Sequence, residues 1–172
     1  MRVIENFDSD NYEMCISVFH REAVRAIITK DHKFALIKGD TFGEYKFPGG
    51  GKEEGESNIE TLIRETLEET GLTINPASIK PYGMALEKRR SVLNPDDLFQ
   101  MESYYYLCDV YDHIQEPKLD DYELLYGYKL QFTDLDEAIL ANEKAAENHQ
   151  LEAPWINREL AVFKDIKKVF NL

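Results

Sequence analysis

Hydrophobic positions along the chain follow two different rhythms. Between Arg21 and Lys38 they are nearly continuous: Val24, Ala26, Ile27 and Ile28, then, across Lys30-Asp31-His32-Lys33, Phe34, Ala35, Leu36 and Ile37. Such runs predict two strands around a turn, covered on both faces. Glu44 to Phe47 reads as a short extended piece feeding the glycines at 49–51. After Ser57 the period changes. Ile59, Leu62, Ile63 and Thr66 recur every three or four residues, which predicts a helix with these side chains on one face. Ser57 and Glu60 stand in the capping-box relation at its start, and Gly71 sits where a left-handed residue closes a helix. Further strands are predicted over Tyr82 to Ser91 and Gln100 to Tyr111, separated by the loop signal Asn94-Pro95-Asp96-Asp97, and over Gly127 to Thr133. A helix from about Leu135 to Glu147 follows. Pro154 opens a last one, given an apolar side by Ile156, Leu160, Phe163 and Val169. This order describes an α/β (α+β) chain with a mixed sheet between helices.

The polar side of the helix after Ser57 carries the chemistry. At about 100° per residue, Glu65, Glu68 and Glu69 gather opposite the apolar face. Like charges at these spacings cost a few tenths of a kcal/mol per pair, and only Arg64 lies beside them. A hard divalent cation with oxygen ligands turns that cost into a binding site. The preceding Gly49-Gly50-Gly51 suits a tight loop whose carbonyls or amides approach a ligand closely. These parts fit phosphate chemistry, in which metal ions neutralise phosphate oxygens and activate water. Taken singly, an acidic helix face is usually a solvated face and a glycine run usually a turn. The joint spacing changes that balance.

Gly50, Glu56, Arg64, Glu65, Thr66, Glu68, Glu69, Gly71 and Leu72 occupy successive places of one pattern: Gly, five residues, Glu, seven residues, Arg-Glu, a hydrophobic residue, any residue, Glu-Glu, any residue, Gly, a hydrophobic residue. Residues 50–72 thereby resemble the signature of the Nudix hydrolase family, and Lys46-Phe47-Pro48-Gly49 is similar to the family's usual approach to it. Thr66 departs, standing where an aliphatic residue is usual. The resemblance implies an α/β/α sandwich with a central mixed β-sheet, one Nudix domain over residues 1–172, and a C-terminal helix over about 154–170. It implies hydrolysis of a nucleoside diphosphate linked to another moiety, with Mg²⁺ or Mn²⁺. By position, Glu65 and Glu69 are the main side-chain metal ligands, Glu68 assists, and the Gly49 carbonyl matches a backbone ligand. Glu65 is the implied base for the attacking water, and Arg64 holds a glutamate by a charge-assisted bond. Glu56, with Gly50 and Gly71, supports the loop and metal shell. The acidic stretch Glu116, Asp120, Asp121 and Glu123 resembles the region where relatives add a distant acidic residue. Glu123 is the candidate there, against the plainer reading of a solvated loop. Homodimers are common among similar proteins.

Length and composition set outer bounds. A chain of 172 residues, 43% hydrophobic, fits one domain with a sizeable core. The net charge of −13 argues against a broad nucleic-acid surface. DNA is therefore not an expected partner, and RNA-end hydrolysis is disfavoured. A small nucleotide is compatible with this charge, because bound cations invert the local field. With neither a signal-like start nor a spanning apolar segment, the expected location is cytoplasmic and away from membranes. Cys15 and Cys108 lie in strand-like apolar stretches and read as buried free thiols. Arg25, Lys38, Lys46, Arg89 and Arg90 are candidates for phosphate contacts, with Lys46 favoured by its place beside the glycine loop. Arg89 and Arg90 alternate in a strand, so only one faces a given side. Tyr104, Tyr105 and Tyr106 offer either a stacking surface or strand packing. Among substrates, a nucleoside triphosphate stands slightly ahead of a nucleotide sugar. The rival function is a non-catalytic nucleotide or ADP-ribose sensor on the same fold, disfavoured by the intact glutamate set.

Overall fold

The computed structural model describes residues 1–149 and 153–172. The chain opens with β1 (Val3–Asp8) and β2 (Ser17–Ile27), then the hairpin of β3 (Thr29–Lys30) and β4 (Lys33–Lys38). β5 (Tyr45–Lys46) leads through the glycines into α1 (Asn58–Thr70), followed by β6 (Leu72–Ile74), β7 (Lys80–Arg90), β8 (Asp97–Leu107) and β9 (Val110–Ile114). The last elements are α2 (Asp121–Tyr126), β10 (Lys129–Thr133), α3 (Leu135–Asn148) and α4 (Trp155–Phe170). The β3–β4 turn is made by Asp31 and His32, both in the left-handed region at φ 51° and 63°. Positive φ at both central residues matches the twist of the flanking strands.

A four-stranded sheet runs in the order β1-β7-β8-β2, with β7 antiparallel to β8 and the two outer pairs parallel. A second sheet runs β10-β4-β3, with β5 on β4, and β6 pairs with β9. The glycine segment joins these sheets through β2. Ala26 N–H donates to the Pro48 carbonyl at 2.8 Å and Val24 N–H to that of Gly50 at 3.0 Å. The loop that carries Gly49 is thus zipped along a strand edge.

Both faces of Ala23–Ile27 in β2 and of β4 are covered, as their continuous apolar runs require, while Ser17–Arg21 of β2 is exposed. On one side Val24, Ala26, Ile28 and Ala35 pack with Leu62 of α1 and with Leu72 and Ile74. On the other, Ile27, Leu36, Phe47 and Tyr105 pack with Val162, Phe163 and Ile166 of α4 and Ala138 of α3. The result is the α/β/α sandwich with a central mixed sheet. No helix among the described residues is long and apolar enough to cross a membrane.

Several expectations need correction. β2 begins at Ser17, and β1, β6, β9 and α2 carry no signal of the kind read above. Their residues are largely exposed or held by non-local pairing. Gln100 to Tyr111 is divided, with β8 ending at Leu107 and Tyr111 in β9; Gly127 caps α2 in the left-handed region instead of starting a strand. Cys15 lies outside any strand and is only half-buried, whereas Cys108 is buried; both are free. Ile59 is 37% exposed, so the apolar face of α1 is carried by Leu62 and Thr66. Tyr105 and Tyr106 are buried, which makes them packing residues.

Beneath α4 the sheet buries ions. The Arg158 side chain, 4% exposed, bonds Glu87 at 2.6 Å, and its Nη2 reaches Glu159 at 3.2 Å. Glu159 also accepts from the Tyr105 hydroxyl at 3.1 Å and from Phe47 N–H at 3.1 Å. Removing one member of a buried pair strands its partner. Glu87→Ala should therefore destabilise the fold by about 3–5 kcal/mol, read as a lower urea midpoint at unchanged slope.

Candidate active site

α1 begins and ends as its sequence dictates. Ser57 N–H donates to the Glu60 carboxylate at 2.8 Å while Glu60 N–H donates to Ser57 Oγ at 3.3 Å. Gly71, at φ 73°, closes the helix with its N–H on the Leu67 carbonyl. Glu56, just before the helix, folds back onto Arg64. Its two carboxylate oxygens accept from Arg64 Nε at 2.7 Å and Nη2 at 2.8 Å, the bidentate geometry that suits a guanidinium. Arg64 Nη1 reaches Glu65 and Glu68, each at 3.0 Å, and Nη2 reaches the Gly51 carbonyl at 3.3 Å. One guanidinium therefore gathers three carboxylates. Bonding to Arg64, above all, lowers the Glu56 carboxyl from 4.5 to about 2.

Glu69 behaves differently from its neighbours. Its residue is 3% exposed, whereas the Glu68 side chain is 42% exposed, so the acidic face is not evenly solvated. Glu69 Oε1 accepts from Lys46 Nζ at 2.6 Å and Oε2 from Gly49 N–H at 2.7 Å. Burial is the largest influence on the Glu69 carboxyl and pushes it up. The charges of Lys46 and Arg25, with the bonds from Lys46 and Glu123, outweigh burial and leave it below its ordinary value. Lys46 also stands 4.1 Å over the Tyr128 ring.

The glycines let the loop meet these acids. A Cβ at Gly49, whose φ is 132°, would fall on the Val24 carbonyl oxygen, and one at Gly50 would overlap the Glu65 carboxylate. Glu65 therefore lies against the loop backbone. Burial pushes its carboxyl up, and Arg64 offsets this only in part. Arg25 Nη1 donates to the Gly49 carbonyl and, at 3.4 Å, to that of Phe47. From α2, Glu123 reaches the same centre and is 4% exposed. Burial, followed by its bond to Glu69 and the Glu69 charge, pushes the Glu123 carboxyl up to about 7. Its own oxygens accept from Asp120 N–H at 2.9 Å and the Tyr122 hydroxyl at 3.1 Å.

Glu56, Arg64, Glu65, Glu68, Glu69, Gly49, Gly50, Lys46, Arg25 and Glu123 thus come together. Arg89 does not: its guanidinium lies over Phe99 at 4.3 Å, two strands away. Arg25 and Lys46 are held by protein groups, which differs from open phosphate contacts. Thr66 is buried, and its hydroxyl donates to or accepts from no described residue. No group of three or more His, Cys, Asp or Glu side chains among the described residues is gathered in metal-binding geometry. The carboxylates are drawn onto Arg64 and Lys46 instead. The donors themselves fit a hard divalent cation: carboxylates and a backbone carbonyl, with Glu65 raised by burial and, less, by the charge of Glu69.

Residues 19–156 match the model of the NUDIX domain. A NUDIX hydrolase from Nitrosomonas europaea is similar at a TM-score of 0.57 and 23% identity, over 73% of this chain and 80% of that one. A MutT NUDIX hydrolase from Burkholderia pseudomallei is similar at a TM-score of 0.50 and 19% identity, over 73% and 98%. At these identities the likeness is one of fold. A search of curated proteins returned no match.

Because the folded Glu56 carboxyl lies at about 2 and the ordinary value is 4.5, its contribution is complete above pH 4.5 and is lost as pH falls toward 2. Glu56→Gln should flatten the acid limb of the stability curve across that window, measured by urea unfolding at stepped pH. An unchanged acid limb would refute the assigned bond.

Proposed function

Because the chain belongs to the NUDIX family, we propose that it is a metal-dependent pyrophosphohydrolase acting on a nucleoside triphosphate or another nucleoside diphosphate derivative. The observation that carries this reading is the convergence of Glu56, Glu65 and Glu68 on Arg64, beside Glu69 at the Gly49 amide. Four carboxylates around one guanidinium and one tight loop are costly unless cations complete them.

In this reading Gly49, Glu65, Glu68 and Glu69 would hold Mg²⁺ or Mn²⁺. When bound, the ion neutralises phosphate oxygens and makes water a better nucleophile. Glu65 takes the proton from the attacking water as oxygen bonds to phosphorus and the P–O bond to the leaving phosphate breaks. The place of Glu65 against the loop backbone at Gly50 puts that carboxylate beside the groups that would hold the ion. Arg64 fixes the direction of the Glu65 and Glu68 carboxylates, and Glu56 fixes Arg64. Glu123 is a further acidic group toward Glu69. Gly50 and Gly71 keep the loop and the helix end in place. The same reading carries a cytoplasmic enzyme with a small nucleotide as its partner and no role on DNA.

A phosphate-release screen over nucleoside triphosphates, nucleotide sugars and ADP-ribose, with Mg²⁺ or Mn²⁺, should single out one class, and EDTA should abolish its turnover. Glu65→Gln should lower kcat by roughly two to four orders of magnitude with an unchanged circular dichroism spectrum. Full activity in Glu69→Gln would refute the site. Tight binding without turnover would replace the hydrolase with a ligand sensor.

A further inference from the structure

Most cations around the site are already engaged. Arg64 is taken by Glu56, Glu65 and Glu68, Lys46 by Glu69, Lys52 by Glu22, and Arg158 by Glu87 and Glu159. Arg25 is spent on the carbonyls of Phe47 and Gly49. Arg21 stands apart. Among the described residues its guanidinium has no hydrogen-bond or ion-pair partner, although its neighbourhood includes Glu65 and Tyr122.

The sheet explains why it is unpaired. Arg21 sits opposite Met101 on β8, and Met101 sits opposite Glu87 on β7. At about 5 Å per strand, Glu87 is two strands off, and Arg158 already bonds it at 2.6 Å. Glu22, next in sequence, points to the other face of the strand and bonds Lys52 at 3.1 Å. Gly51 leaves room for the side chain: a Cβ there would stand 3.0 Å from Arg21 Nη2 and 3.3 Å from its Nε. The exposed guanidinium therefore lies on the backbone directly after Gly50, whose own missing Cβ accommodates Glu65. It also lines a cleft of about 710 Å³ with Gly51, Lys52, Glu53 and Glu56.

We propose that Arg21 receives the diphosphate of the substrate, its guanidinium fork bonding phosphate oxygens at the mouth of the carboxylate site. The proposal rests on the hydrolase reading above. It adds a protein contact to the substrate's anionic part, beside the charge a bound cation would supply, in a chain whose net charge is −13. A planar fork matches phosphate geometry in two bonds, and lysine supplies only a point charge.

The test uses the full chain and methylenediphosphonate, a diphosphate mimic with a P–C–P bridge and no nucleoside. With Mn²⁺ present, Arg21→Ala should weaken methylenediphosphonate binding by about 10- to 100-fold in calorimetry, and Arg21→Lys should recover part of the loss. Mn²⁺ binding without the diphosphonate, followed by electron paramagnetic resonance, should be unchanged. On the substrate found in the screen, KM should rise more than kcat falls. Equal diphosphonate affinity in wild type and Arg21→Ala, or no binding to wild type, would overturn the proposal. Arg21-dependent binding by a protein that hydrolyses nothing would instead sink the hydrolase reading and leave this one standing.

Discussion

A single guanidinium makes the acidic centre tolerable. Arg64 bonds Glu56 through two nitrogens and spreads a third across Glu65 and Glu68, so three carboxylates from a loop and a helix share one delocalised charge. Lysine offers no such fork, and its point charge would leave at least one acid unsatisfied. Around this hub the loop, the helix N-terminus and the glycine turn acquire fixed relative positions. Thr61 adds a hydroxyl bond to Glu56 at 2.8 Å, and the Glu53 amide adds another at 3.0 Å.

Glu69 solves a different problem. It is nearly as buried as a core residue, and its carboxylate is sustained by Lys46 and by the Gly49 amide. A buried ion of this kind contributes little net stability, because desolvation offsets the attraction. Its effect is on geometry. The α1 helix, the β5 strand and the glycine segment meet at one carboxylate, and α2 closes over it with Glu123. The same logic recurs below α4, where Arg158, Glu159 and Glu87 join helix to sheet.

What the sequence made legible was local or tightly spaced. The capping box of Ser57 and Glu60, the left-handed Gly71 and the β3–β4 turn follow from contacts between near neighbours, and these are as expected. The sandwich followed from apolar runs covered on two faces. Other features depended on distant residues. β1 is mostly exposed, with only Ile4 and Phe7 half-buried, and exists by pairing with β7, more than seventy positions on. Glu123 looked like a solvated acid because Glu69 and Lys46, which enclose it, lie over fifty positions earlier. Arg158 and Glu159 carry no local signal, because their partners Glu87, Tyr105 and Phe47 lie far back along the chain. Arg21 gave no signal at all, since its distinction is the absence of a partner.

The bond from Phe47 N–H to Glu159 spans 112 positions of chain. It anchors the segment leading into Gly49 to α4, so the approach to the glycine turn is braced by a helix that follows it by more than a hundred positions. During synthesis the acidic helix emerges long before its most distant brace. Long-range closure of this type is slow relative to helix formation. The loop is thus braced only once α4 has joined the sandwich, well after the motif that defines it has been made.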